Sequence, residues 1–232
     1  MSLFPIISPG VAAFLPTDLA NLEIWVRSDL GVTKDGSDFV ATWADQSGNG
    51  RDFTEATNKP LWVDGLLATF PGIRFDGSND LLTAASWSQV MPIHVFMVLN
   101  QKTWVSEDGI WGGTTTSGQR IFQFSSSPEM RSNAGTASTG PASLATGTFG
   151  LIHSLHNSTT ENWIALNDGA ETANVANVGT AEPGGFRMGV GYGGSAGFTN
   201  IEVVEFMVFS AEVTGADLTA LLAYINARYS LW

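Results

Sequence analysis

The chain of 232 residues has no cysteine, which excludes a disulfide framework and thiolate metal sites. Large secreted animal domains often carry disulfides, so the absence points to a bacterial or viral setting. Charge is scarce as well: 14% of residues are Asp, Glu, Lys or Arg, against about 25% in ordinary soluble domains. Basic residues are the fewest, 10 against 22 acidic ones, for a formal net charge of −12. Such a chain repels a phosphate backbone, which argues against a nucleic-acid partner. No apolar run reaches the roughly 18 residues of a membrane helix. No Lys or Arg precedes Arg27, so the charged start of a signal peptide is missing. The protein is expected to stay where it is made or to leave with a larger particle.

Catalytic and cofactor patterns are absent too. Gly189–Gly194 reads GVGYGG and fits a dinucleotide fingerprint by letter, but a strand follows it where a helix should open. No nucleophile elbow of the form G-x-S-x-G and no run of alternating carboxylates occurs. Glu202 and Glu205 are three apart and are expected on opposite faces of a regular strand, so they do not form the flanking pair that glycosidases use. His94, His153 and His156 have no acidic neighbour in sequence and are expected as packed or surface side chains, with His153 and His156 facing opposite ways.

Two turn-like segments imitate calcium loops. TWADQSGNGRDF (42–53) begins as an EF-hand does, at Asp45, Ser47, Asn49 and Gly50, but its twelfth position is Ala56 instead of the bidentate Glu. FDGSND (75–80) alternates Asp76, Ser78 and Asp80, but Leu81 stands where the loop needs Gly and Trp87 where it needs Glu. Both are expected as turns closed by Asn-Gly or Asp-Gly and by short polar side chains. The one metal these residues suggest is a weak calcium at Asp45 or Asp52.

What the sequence does contain is 44% hydrophobic residues and 26 glycines, a composition that favours many short strands joined by turns. Strands are predicted at 22–30, 72–77, 93–100 and 200–210, with 93–100 central because its apolar run is nearly continuous. Hairpins are predicted for 109–113 with 120–126 and for 150–157 with 162–170, the latter using Asn167-Asp168-Gly169 as its turn. The Ser/Thr/Ala/Gly-rich stretch 127–148 is either a long loop or weak edge strands. One helix is predicted over 214–229, with Thr214 and Asp217 as a capping box and Leu218, Leu221, Leu222 and Ile225 as its apolar stripe.

Of the eight tryptophans, Trp25, Trp43 and Trp163 sit in strand patterns and read as core. Trp62, Trp87, Trp104 and Trp111 lie near loops and are the candidate glycan-stacking rings, with core packing as the competing role. Residues 1–16 carry Phe4, Ile6, Ile7, Phe14 and Leu15 among three prolines and no charge. Such an arm makes neither a helix nor a central strand. It is expected either to fold over its own domain or to dock on a protein partner.

LEIWVRSDLGV, VATWADQSGNGRDF, KPLWVDGLLATFPGIRFDGSNDLLT and the closing NIEVVEFMVFSAEVTGADLTALLAYINARYS, in this order, resemble laminin-G-like, concanavalin A-like jelly-roll domains over about residues 20–230. The resemblance implies an all-β antiparallel β-sandwich with a groove on its concave face, here with one C-terminal helix. Residues 17–232 are expected to form that domain and 1–16 an apolar arm. Family members bind glycans, bind proteins or serve in phage and bacterial surface structures. The function expected is therefore non-enzymatic: a structural or decoration protein of a phage-like virion, made in the host cytoplasm, with its own copies or a shell protein as partners. The alternative is a glycan-binding adhesion domain at a bacterial surface, and the third reading is a glycoside hydrolase.

Overall fold

The structure is a computed structural model that describes residues 14–115, 119–125, 127–134, 138–157, 161–172, 181–191 and 194–232. Sixteen strands and one α-helix are assigned among these residues: β1 (Leu22–Arg27), β2 (Val32–Lys34), β3 (Val40–Trp43), β4 (Phe53–Thr54), β5 (Leu61–Leu67), β6 (Phe70–Asp76), β7 (Leu82–Ala84), β8 (Ile93–Gln101), β9 (Gly109–Gly113), β10 (Arg120–Gln123), β11 (Glu129–Asn133), β12 (Ser138–Ser143), β13 (Phe149–Asn157), β14 (Glu161–Leu166), β15 (Phe186–Met188), β16 (Asn200–Phe209) and α1 (Gly215–Tyr229). The strands form two antiparallel sheets. Sheet A has the order β14-β13-β8-β16-β6-β5, with β1 also paired to β16; sheet B runs β12-β11-β10-β9-β15-β7-β4-β3-β2. This is the β-sandwich with one C-terminal helix that the sequence predicts.

Alternation places the main core between the sheets. From sheet A come Ile73, Val95, Met97, Leu99, Val203 and Phe206; from sheet B come Trp43, Phe53, Leu82, Trp111, Phe186 and Met188. All nine residues of β8 are buried, as its apolar run requires, because its other face is covered as well. That cover is α1. Leu221, Ile225 and Tyr229 are buried with Trp25, Phe96, Val98, Val204, Met207 and Phe209 in a second hydrophobic cluster on the outer face of sheet A. Trp25, Trp43 and Trp163 are buried as expected.

Several local details differ from the sequence reading. Thr214 precedes α1 in extended conformation but makes no side-chain cap bond, so the capping box is not formed. Helix packing on sheet A stabilises α1 instead. β13 and β14 do form a hairpin, with Ile152 opposite Leu166 and Asn157 opposite Glu161, but Asn167-Asp168-Gly169 lies after β14 and is not its turn. Asn167 adopts φ 56°, and its side-chain oxygen accepts the Leu151 N–H at 2.9 Å. Stretch 127–148 supplies β11 and β12, the edge of sheet B. Glu202 and Glu205 share the outer face of sheet A. The register with β8 shifts between Val203 and Glu205, and this bulge at Val204 adds the one residue that strict alternation cannot foresee.

Candidate functional site

The two carboxylates that the bulge brings to one face are both engaged. Glu202 pairs with Arg74 at 2.7 Å and with Lys102 at 3.2 Å and accepts the Asn100 amide at 2.9 Å. Glu205 is fully buried beneath α1, where it accepts the Trp25 indole N–H at 2.6 Å and the Tyr224 hydroxyl at 3.0 Å. Burial pushes its carboxyl up, while hydrogen bonds from Tyr229, Trp25 and Tyr224 draw it down. The histidines are also internal. His153 stacks on Phe96 with centroids 5.2 Å apart, whereas His156 faces Trp111 on the other side of β13 at 5.8 Å. Burial pushes His153 down to about 4 and His156 to about 3, so both stay neutral at pH 7.

The four candidate tryptophans do not line a common groove. Trp111 is 0% exposed and belongs to the core, a correction to its assignment as a stacking ring. Both Trp62 and Trp87 are half-buried against that core, and each carries a cation: Lys34 lies 3.3 Å from the Trp62 centroid and Arg51 4.3 Å from that of Trp87. Trp104 sits in the β8–β9 loop with its indole N–H 3.5 Å from the Glu129 carbonyl.

Asp45 closes its own turn between β3 and β4. Its carboxylate accepts the Trp25 and Ser47 N–H groups at 2.9 Å each, the Ser47 hydroxyl at 2.7 Å and the Arg51 N–H at 3.1 Å. Asp52 accepts the Asp45 N–H at 2.8 Å. The Asp45 oxygens are thus engaged by donors of the loop and by the Trp25 N–H of β1. The turn predicted from the sequence is what this segment forms, with Gly48 and Gly50 at φ 92° and 70°.

From the apolar arm, Phe14 packs edge-on to Tyr224 with centroids 6.2 Å apart, and Leu15 is 40% exposed. Phe4, Ile6 and Ile7 lie outside the described residues.

A different constellation forms where three loops meet: β2–β3, β4–β5 and β6–β7. Asp35, Phe39, Asn58, Lys59, Asp76 and Asp80 are among the residues that line a hollow of about 330 Å³. Each loop is held by its own acid. Asp35 accepts the Ser37 and Phe39 N–H groups at 3.0 and 3.1 Å; Glu55 accepts those of Ala56, Thr57 and Asn58. Asp76 accepts those of Ser78 and Asn79 at 2.7 and 3.3 Å, and Asp80 accepts the Asp76 N–H at 3.0 Å. Asn79 donates to Asn58 at 3.4 Å.

The charges of this hollow are tuned in opposite directions. Burial, with the nearby charge of Asp76, pushes the Asp80 carboxyl up to about 6. Burial also pushes Asp76 up, but its backbone donors outweigh it and hold the group below its ordinary range. Asp35 is lowered by the Ser37 N–H first, then by Phe39 and Lys59. Phe39 presents an apolar ring beside these groups, 42% exposed. The arrangement offers a flat apolar surface next to planar acceptors and an ammonium donor at fixed positions. Sequence reasoning reached the FDGSND turn but missed Phe39, whose signal was a lone aromatic in the polar stretch KDGSDF. It also missed Asp35 and Asn58, which converge from loops far apart in sequence.

No protein-family description matches the chain, and no curated protein matches it in sequence. Solved structures do match in fold. A sialidase of Trypanosoma rangeli superposes with a TM-score of 0.64 at 12% identity, over 88% of this chain and 33% of that one. The binding domain of Paraclostridial Mosquitocidal Protein 1 gives 0.64 at 12%, over 90% and 53%. Domain 4 of AbnA, a GH43 extracellular arabinanase from Geobacillus stearothermophilus, in complex with arabinotriose, gives 0.60 at 12%, over 87% and 98%. The chain spans only a third to a half of the first two. Identities this low show a shared β-sandwich fold, and nothing finer about the type of domain.

Proposed function

We propose that this protein is a glycan-binding module that does no chemistry on its ligand, and that the hollow between the β2–β3, β4–β5 and β6–β7 loops is its sugar site. The observation that carries this is the exposed Phe39 ring beside Asp35, Asn58, Lys59, Asp76 and Asp80. Sugars have apolar C–H faces and vicinal hydroxyls, so they match a ring flanked by planar carboxylate and amide groups. A hollow of about 330 Å³ falls at the small end of ligand pockets and suits one or two sugar residues. Asp35, Asp76 and Asp80 are held by backbone hydrogen bonds before a ligand arrives, which limits the ordering cost of binding. The arabinanase domain solved with arabinotriose supports the reading by fold analogy alone.

Isothermal titration with arabinotriose, together with an immobilised glycan panel, tests the reading. Wild type binds at least one oligosaccharide; Phe39→Ala and Asn58→Ala lose at least tenfold in affinity with an unchanged far-UV spectrum. Retained affinity in both variants contradicts the site.

A second reading is hydrolysis. Asp76 and Asp80 are pushed in opposite directions, the electrostatic pattern of a base and an acid. Binding is favoured because Asp76 and Asp80 both spend oxygens on loop N–H groups. Reducing sugar released from the bound glycan, and lost in Asp80→Asn, would decide for hydrolysis.

The setting, on a phage-like virion or a bacterial surface, is a further proposal. It rests on the absence of cysteine, the scarcity of charge and the apolar segment 1–16, and docking of that segment on copies or on a shell protein belongs to the same proposal.

A further inference from the structure

Nine of the ten basic residues form ion pairs. Arg27 and Arg228 pair with Asp29, Lys34 with Asp38, Arg51 with Glu23 and Lys59 with Asp35. Arg74 and Lys102 pair with Glu202, Arg120 with Glu107 and Arg131 with Glu129. Arg187 is the exception: it makes no ion pair and no side-chain hydrogen bond among the described residues. In a chain with 22 acidic residues, a lone cation that finds no carboxylate is unexpected on statistical grounds, and its surroundings show why it finds none.

Arg187 lies in the middle strand of sheet B. Its neighbours Phe186 and Met188 point into the core, so its own side chain stands on the outer face. Directly opposite it are Thr83 on β7 and Gly112 on β9. Thr54 follows Thr83 in the same row, and Arg120 follows Gly112. The row therefore reads Thr54, Thr83, Arg187, Gly112, Arg120. It holds hydroxyls on one side of the guanidinium, the bare Gly112 and then Arg120 on the other, and no acid.

Gly194, which follows β15, lies against the same guanidinium. A Cβ at Gly194 would sit 3.1 Å from the Arg187 Nε and Cζ atoms, and Gly194 adopts φ +68°, a conformation that favours glycine. Gly194, the last residue of the GVGYGG sequence that is no dinucleotide fingerprint, thus places backbone against one side of Arg187 where a side chain would crowd it.

We propose that Arg187 is the anchor of an anion subsite on the outer face of sheet B, and that its ligand is the single carboxylate of an acidic sugar. The planar guanidinium matches a carboxylate through two parallel N–H···O bonds. Thr83 and Thr54 beside it offer hydroxyls to the ring of the same sugar. The net charge of −12 repels polyanions, so the ligand carries an isolated carboxylate among neutral residues. This subsite lies on the sheet face and does not depend on the loop hollow described above.

The test uses the full chain and glucuronic acid at pH 7, with neutral glucuronamide, inorganic sulfate and polygalacturonate as comparisons, followed by NMR. Glucuronate is expected to shift the Arg187 Nε–H signal of the wild-type protein, and glucuronamide, sulfate and polygalacturonate to bind at least tenfold more weakly. Arg187→Gln is expected to abolish glucuronate binding and Arg187→Lys to weaken it at least tenfold, because an ammonium cannot form the paired contact. Gly194→Ala is expected to weaken it as well. Equal binding of glucuronamide, sulfate binding as tight as glucuronate, or no movement of the Arg187 signal overturns the proposal. The wild-type measurement decides even if a variant fails to fold. Loss of arabinotriose binding in Phe39→Ala with glucuronate binding intact leaves both sites standing, whereas glucuronate binding lost only in Phe39→Ala overturns this one.

Discussion

The outer faces of the two sheets carry different side chains for different purposes. On sheet A, Trp25, Phe96, Val98, Met207 and Phe209 face outward and are buried under α1. On sheet B, the corresponding row is Thr54, Thr83, Arg187, Gly112 and Arg120, and among the described residues no helix covers it. One face is committed to folding. The other, together with the loop hollow at Phe39, holds polar groups at fixed positions without contributing to a core. On the proposed function, recognition belongs to sheet B and its loops, and substitutions should separate stability from binding along the same line.

The largest effects should come from the covered face. Leu221→Ala or Ile225→Ala removes a buried side chain from the second cluster and should cost about 2–5 kcal/mol. Thr83→Ala on the open face should stay within about 0.5 kcal/mol. Chemical denaturation of the three variants checks this, and equal losses would erase the distinction. Next comes Glu205→Ala, which strips the Trp25 indole and the Tyr224 hydroxyl of their acceptor and should cost about 1–3 kcal/mol for each group left unpartnered, seen as a lowered denaturation midpoint.

A smaller effect of opposite sign is expected at the hollow. Folding pushes the Asp80 carboxyl from 3.8 to about 6, so the folded protein binds the proton more tightly than the unfolded chain. The stability tied to protonated Asp80 is full below about pH 4 and is lost as pH rises through about 6. Asp80→Asn removes this slope and should raise stability at pH 7 by about 1–2 kcal/mol, with little difference below pH 4, while weakening glycan binding. A variant that gains stability and loses affinity is what a binding site built against the fold's own interest produces. The smallest effect concerns calcium: with the Asp45 oxygens already engaged by N–H and hydroxyl donors, millimolar calcium or a chelator should shift the melting temperature by less than about 1 °C.

The fold was legible where patterning is strong and local. The apolar run of β8, the β-branched and aromatic run of β16 and the Leu221/Ile225 stripe of α1 each announce their element. The turn at 42–53 followed from Gly48, Gly50 and Asp45. The bulge at Val204 was not legible, because one inserted residue leaves no compositional trace yet moves Glu205 to the face of Glu202. Nor was the role of Asn167, which caps β13 instead of turning a hairpin. The candidate site was hidden for a different reason. Phe39, Asn58 and Asp80 meet only through the pairing of strands far apart in sequence, and that Arg187 has no ion-pair partner among the described residues becomes visible only when the partners of the other nine cations are known. Tryptophan was the natural ring to suspect, but its size favours burial, and Trp111 went to the core.

The most direct test is a titration of one bound oligosaccharide, found on the panel, against wild type, Phe39→Ala and Leu222→Ala, the last on the α1 side of sheet A, with thermal melting of each. The account predicts that Phe39→Ala loses at least tenfold in affinity at an unchanged melting temperature, and that Leu222→Ala melts lower but binds as wild type. Full affinity in Phe39→Ala, or affinity lost only in Leu222→Ala, would contradict it.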